Sequence, residues 1–295
     1  SGTTALTANN TYIGGTTISA GILQLGNAGT SGAIVGDVLN NGSLVFDRSD
    51  RVTFPGVVSG TGSVTQAGRG TTVLTADNTY SGTTTVAAGT LAVGDALHPG
   101  AALSGNGATT VLPGALLGGY GSVTGTVANQ GILVIADALP QFAGAGAGAF
   151  TINGQLTNAG LVQIGGQGVG NRLNVVGNYV GQNGVIGLNT FVAGDGAPSD
   201  RLVVLGGSAI GLSSLRIRNI GGPGALTIAD GIQVIQTTNG ATTAATAFTL
   251  AGPVKAGAYS YYLAKGGVTD GTSHNWYLRN TVAPLPGGVP GTSET

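Results

Sequence analysis

The sequence predicts an all-β protein, a right-handed parallel β-helix (solenoid) with a C-terminal β-rich cap, and three observations carry that prediction. A 25-residue segment recurs, the residues that build charged amphipathic helices are almost missing, and glycine or asparagine punctuates short runs of alternating apolar and polar residues. The only Glu is Glu294 and the only lysines are Lys255 and Lys265, so no charged helix face can be drawn. The 57 glycines do not signal disorder, because 41% of the residues are hydrophobic and only 7% are charged.

The repeat comes first along the chain. Residues 2–26 align without a gap on residues 70–94, with identity at 16 of 25 positions. Self-similarity of this kind marks stacked architectures. A coil of roughly 20–25 residues would fit about three times into the 68-residue offset, which places the two copies on one face of the stack. No spacing near the ~40–45 residues of a propeller blade recurs.

Shorter echoes fill the rest of the first 174 residues. Asn41-Gly42-Ser43-Leu44, Asn129-Gln130-Gly131-Ile132 and Asn158-Ala159-Gly160-Leu161 share a turn followed by a strand, and Gly60-Thr61-Gly62-Ser63 returns as Gly119-Tyr120-Gly121-Ser122. Glycine and asparagine tolerate the positive φ that tight corners demand. Residues 1–174 therefore read as a stem of about eight coils, roughly 40 Å long at ~4.8 Å per coil. The 144–148 run of alternating Gly and Ala reads as a flexible insertion.

From about Val175 the repeats fade and the residues grow larger. Tyr259, Tyr261, Tyr262 and Tyr277 are four of the eight tyrosines, and Trp276 is the only tryptophan. Large aromatics bury more area per residue, and an open solenoid end exposes unpaired backbone, so residues 175–280 read as a stable cap. Strands are expected at 201–205, 214–218, 232–236, 259–264 and 275–279, with Leu215 and Ile217 inward and Arg216 and Arg218 outward. Residues 281–295 follow neither period and read as an extended linker.

Composition narrows function. With no cysteine there is no disulfide, thiolate metal site or cysteine nucleophile. A formal net charge of −1 gives no basic footprint for nucleic acid or anionic lipid. No apolar run approaches the ~18 residues of a membrane-spanning helix, so no direct membrane insertion is expected. Ser1 falls inside a repeat, which suggests a piece of a longer chain.

Candidate chemistry is thin, and the sequence assigns no catalytic, cofactor-binding or metal-binding residue. His98 and His274 are the only possible imidazole bases; no Gly-x-Ser-x-Gly elbow accompanies them, and packing or surface roles are expected for both. A glycosidase pair would have to use aspartates, but Asp47 and Asp50 alternate with Arg48 and Arg51, which predicts a solvated, self-neutralising loop. Asp195 and Asp200 match no calcium-loop spacing and read as a turn before the Leu202 strand.

The core at 10–23 and 78–91, Asn-Thr-Tyr-x-Gly-x-Thr-Thr-[Val/Ile]-x-Ala-Gly-x-Leu, resembles the passenger-associated β-strand repeat of bacterial autotransporters. Farther on, Ser199-Asp200-Arg201-Leu202, Gly221-Gly222-Pro223-Gly224, Gly257-Ala258-Tyr259 and Asn275-Trp276-Tyr277-Leu278 resemble in order the pertactin-like autochaperone region of those passengers. The resemblance implies type V secretion, with Sec export through the periplasm and display at the cell surface or release. It implies an outer-membrane β-barrel as the passenger's partner and a folding-promoting role for residues 175–280, with host surface molecules or neighbouring passengers as external partners. The parent is then expected to be an adhesin or self-associating virulence factor; a passenger enzyme with its catalytic domain upstream, or a secreted effector binding a host receptor, are the alternatives.

Overall fold

A computed structural model describes residues 2–280; the expected linker at 281–295 and Glu294 lie outside the described residues. Parallel strands coil into a solenoid with three faces. The first face starts with Thr3–Leu6, Ile22–Gly29, Ser43–Arg48 and Ser63–Gln66, and each pairs in parallel with the next. The second runs through Arg51–Phe54, Thr71–Leu74, Thr90–Val93, Leu116–Gly119, Ile132–Ile135 and Leu161–Gln163. Thr16–Ile18, Val38–Asn40 and Val58–Ser59 begin the third, which Asp77–Asn78 continues through the Thr79 N–H to Val58 carbonyl bond of 2.9 Å.

The recurrence at 68 residues has a different geometry from the one expected. Early coils are short: Thr3 registers with Ile22, Ile22 with Ser43 and Ser43 with Ser63. Three such coils do not use up the offset, so Thr3 stands on the first face and its counterpart Thr71 on the second. What the repeat encodes is one turn. In each copy the first strand pairs with the copy's own last strand, Thr3 with Ile22 and Thr71 with Thr90.

Coils lengthen toward the C-terminus, where Arg172 registers with Arg201. Arg172–Thr190 is continuous through a whole coil, pairing in turn with Ala149–Asn153, Leu156–Asn158 and Leu161–Gln163. Arg201–Asn219 repeats that path above it, with register shifts at Gly177/Tyr179 and Gln182/Gly184. Gly177 and Asn183 there have φ of 136° and 62°, the left-handed backbone that lets a strand turn a corner. Residue 175 thus lies within a strand, and parallel pairing continues to Leu250.

The core is one column. Leu91, Leu117, Leu133, Val162, Ile186 and Leu215 stack in register along the second face, and none is more than 1% exposed. Stacking like on like keeps each coil's apolar cross-section matched to its neighbours. Face two is buried on its outer side as well, including Val73, Ala92 and Val134. Residues 136–148 leave Ile135 through two short 3₁₀ turns and lie along that side, with Gln141 donating to Thr71 Oγ1 at 2.8 Å and Phe142 under the Arg51 guanidinium. The 144–148 run is therefore anchored: the Tyr120 hydroxyl donates to Gly146 O at 2.6 Å and Gly148 N–H donates to Asn171 Oδ1 at 2.8 Å.

Candidate functional surface and closed end

At the C-terminal end the ladder changes direction. Ile232–Thr238 pairs in parallel with Arg201–Asn219 through Ile235 and the residues after it, and antiparallel with Trp276–Arg279 through Ile232 to Ile235. Tyr259–Lys265 pairs antiparallel with Trp276–Arg279, and Val254–Ala256 with Tyr259–Lys265. The last coil thereby receives partners for backbone groups that would otherwise template another chain.

Side chains lock this end from inside. Tyr179, Phe248 and Trp276 form a chain of ring contacts, with centroids 5.8 and 5.5 Å apart, and the Trp276 indole N–H donates to Thr243 Oγ1 at 2.9 Å. All three rings are at most 4% exposed. Of the expected strands, 201–205 and 214–218 form one continuous strand, in which Leu215 is buried and Arg216 and Arg218 are exposed.

The aspartates of the 195–200 turn diverge. Asp195 accepts the backbone N–H groups of Ile228, Ala229 and Gly231 at 2.7–3.0 Å, and Asp230 accepts those of Val268 and Thr269 at 2.6 and 2.9 Å, so carboxylates staple three loops in series. Asp200 is fully buried and accepts N–H groups from Gly170, Asn171 and Asn189 at 2.8–2.9 Å. Burial pushes its carboxyl up to about 6 against the lowering effect of those amides. Among the described residues no cluster of three or more His, Cys, Asp or Glu could hold a metal ion.

The remaining candidates take local roles. Exposed His98 places Nδ1 2.7 Å from Asp95 Oδ1, while Asp95 also accepts the Leu97 and His98 N–H groups at 3.0 and 2.9 Å, closing a turn. His274 Nδ1 accepts Thr243 N–H at 3.3 Å and lies 3.5 Å from Lys265 Nζ. The segment around Asp47 is only partly as expected, since Arg48 is 7% exposed rather than solvated. It grips Asp50 with two bonds of 2.9 and 2.8 Å and reaches Asn9 Oδ1 and the Gly32 carbonyl, both at 3.2 Å, because a buried guanidinium must satisfy its donors.

One polar column escaped the sequence reading. Asn129 and Asn158, expected at corners, end strands of the first face and point into the core. Asn129 Nδ2 donates to Asn158 Oδ1 at 2.8 Å, Asn158 Nδ2 donates to the Tyr179 oxygen at 3.2 Å, and Tyr179 and Ser213 share a 2.6 Å hydroxyl contact. The signal in the sequence was the shared strand-ending pattern of Val127-Ala128-Asn129 and Leu156-Thr157-Asn158.

The chain is thus a parallel solenoid closed at one end by antiparallel strands, and comparison with known proteins gives that architecture a family. The family profile described as Autochaperone Domain Type 1 matches residues 165–263, and that described as Passenger-associated-transport-repeat matches 1–25 and 64–93. The chain is 36% identical over 311 residues to the Adhesin BmaC autotransporter of Brucella suis, an alignment covering 95% of the chain and 8% of the relative. It is 30% identical over 254 residues to the uncharacterized protein YuaQ of Escherichia coli, covering 85% and 16%, and 38% identical over 113 residues to the autotransporter adhesin AIDA-I of Escherichia coli, covering 38% and 8%. The chain thus spans less than a fifth of the length of each of these relatives. It is an autotransporter passenger, surface-displayed or secreted, with passenger-associated repeats and an autochaperone domain.

Proposed function

We propose that residues 1–174 form the stem, and residues 175–280 the folding-promoting cap, of a non-enzymatic passenger whose parent protein is an adhesin. The observation that carries the folding role is the closed end. Its antiparallel strands and the Tyr179–Phe248–Trp276 ring chain close the end of the shared core, while Arg172–Thr190 offers three ready ladder segments to the coil before it. A coil that pairs on a finished edge closes one short loop and needs no new nucleus. The adhesin names of two relatives support the adhesive reading. In the full-length protein residues 281–295 then lead toward an outer-membrane β-barrel, and host surface molecules are the external partners.

Pulsed hydrogen exchange during refolding of the whole chain tests the folding role. Amides in Arg172–Thr190, Arg201–Asn219 and Trp276–Arg279 are expected to gain protection before those in Thr3–Leu6 through Thr90–Val93. Simultaneous protection, or protection that starts in the first coils, overturns it.

A further inference from the structure

The outer side of the second face carries a groove of about 480 Å³ lined by Gln163, Gly187, Leu188, Asn189, Arg216, Ile217 and Arg218. Register explains its shape. Gln163 pairs with Gly187 and Gly187 with Arg216 on successive coils, so at that register position the middle coil contributes no side chain. Gln163 and Arg216 meet across that notch, Arg216 Nη2 donating to Gln163 Oε1 at 3.3 Å. A Cβ on Gly187 would stand 2.5 Å from the same Oε1.

Arg216 and Arg218 project from one side of one strand, roughly 7 Å apart. Both are exposed, and among the described residues the ion pairs are Arg48 with Asp50 and His98 with Asp95, so neither arginine has an acidic partner. The carboxylate behind the groove is that of Asp200, whose oxygens are occupied by three backbone N–H groups, one of them from Asn189. Charge is also unevenly distributed along the chain. Residues 165–280 hold seven Arg and Lys against four Asp, whereas residues 1–164 hold three against six.

We propose that this groove binds a linear anionic polysaccharide through its sulfate groups, with Arg216 and Arg218 as paired anchors and Gly187 keeping the notch open. Guanidinium forks match sulfate oxygens, and two forks at a fixed spacing select a polymer over a single ion. The proposal rests on the adhesive reading and names the ligand chemistry for it.

The test measures binding of a labelled heparin oligosaccharide to the purified chain by fluorescence anisotropy, with hyaluronate, neutral dextran and inorganic sulfate as competitors. Heparin is expected to bind and to be displaced weakly by sulfate and not at all by dextran. Arg216→Gln with Arg218→Gln removes two charge-assisted contacts and should weaken binding by at least roughly tenfold, one decade being about 1.4 kcal/mol. Arg172→Gln with Lys255→Gln removes the same charge elsewhere and should change it less than about twofold. Arg216→Lys with Arg218→Lys should give an intermediate loss, and unchanged far-UV spectra separate binding from folding. No heparin binding, equal losses in the two glutamine pairs, or displacement by inorganic sulfate as effective as by heparin overturns the proposal. Attachment of cells displaying the chain reports on the adhesive reading separately, since adhesion can fail while the purified chain still binds heparin.

Discussion

Tyr179 and Ser213 stand on successive coils with their hydroxyl oxygens 2.6 Å apart, in a core where neither side chain is exposed. Tyr179 also receives Asn158 Nδ2, so one phenol oxygen serves two coils. Tyr179→Phe keeps the ring against Phe248 but leaves Asn158 Nδ2 and Ser213 Oγ without that partner. A loss of about 1–3 kcal/mol is expected in urea unfolding. Ser213→Ala should cost less, because Tyr179 retains Asn158, and the double variant should fall short of the sum. Strict additivity would show that the hydroxyl contact contributes nothing.

Asp200 predicts a pH dependence with an unusual sign. Burial raises its carboxyl to about 6 in the folded chain, from an ordinary value of 3.8. The folded state therefore binds the proton more tightly than the unfolded state does. The favourable contribution of the protonated group is fully present below pH 3.8 and is lost as pH rises to about 6, a swing of about 3 kcal/mol. Asp50 and Asp230, whose carboxyls are held below the ordinary value by hydrogen bonds to Arg48 and to the Thr269 and Val268 amides that outweigh burial, act in the opposite sense. The readout is thus the difference between the wild-type chain and Asp200→Asn. Wild-type stability should decline relative to the variant between pH 4 and 6, and parallel curves would refute the assignment.

Much of this architecture was legible because its causes are local. Alternating strands, glycine corners and the outward pair Arg216 and Arg218 follow from sequence period alone. What stayed hidden depends on register between coils. The 68-residue spacing could not reveal that Thr3 and Thr71 occupy different faces, since coil length is set by how each corner turns. Asn158 looked like a corner residue, as asparagines often are, until the coil above placed Tyr179 within reach. The notch at Gly187 exists only because Gln163 and Arg216 flank it from neighbouring coils.

The segment 136–148 is held to the second face by two buried side chains, Leu139, which is 0% exposed, and Phe142, which is 5% exposed and contacts Tyr120 at a centroid distance of 5.8 Å. Phe142→Ala should cost about 3–5 kcal/mol of local attachment and open the segment to proteolysis near Gly144. Arg51→Ala removes only the cation above that ring, worth about 0.5–1 kcal/mol at an exposed site, and should leave cleavage nearly unchanged. Proteinase K digestion followed by mass spectrometry distinguishes the two. Equal cleavage of both variants would mean that the ring does not anchor the segment.

Gly118 makes the sharpest demand on coil spacing. It registers with Val134 on the next coil, and a Cβ at residue 118 would stand 1.8 Å from the Val134 carbonyl oxygen. That oxygen belongs to the backbone, so no side-chain rotation can relieve the clash; the two coils must separate or the strand must twist. Gly118→Ala should therefore destabilise the chain by about 3 kcal/mol or more. Gly100 is the matched control, because it is exposed, lacks a positive φ and has nothing within 4 Å of the place a methyl group would take. Gly100→Ala should stay within about 0.5 kcal/mol of the wild-type chain. Thermal melts of the two variants decide the matter: coincident midpoints would mean that the coils can part at Gly118 without cost, and that their close approach there contributes nothing to the stability of the stack.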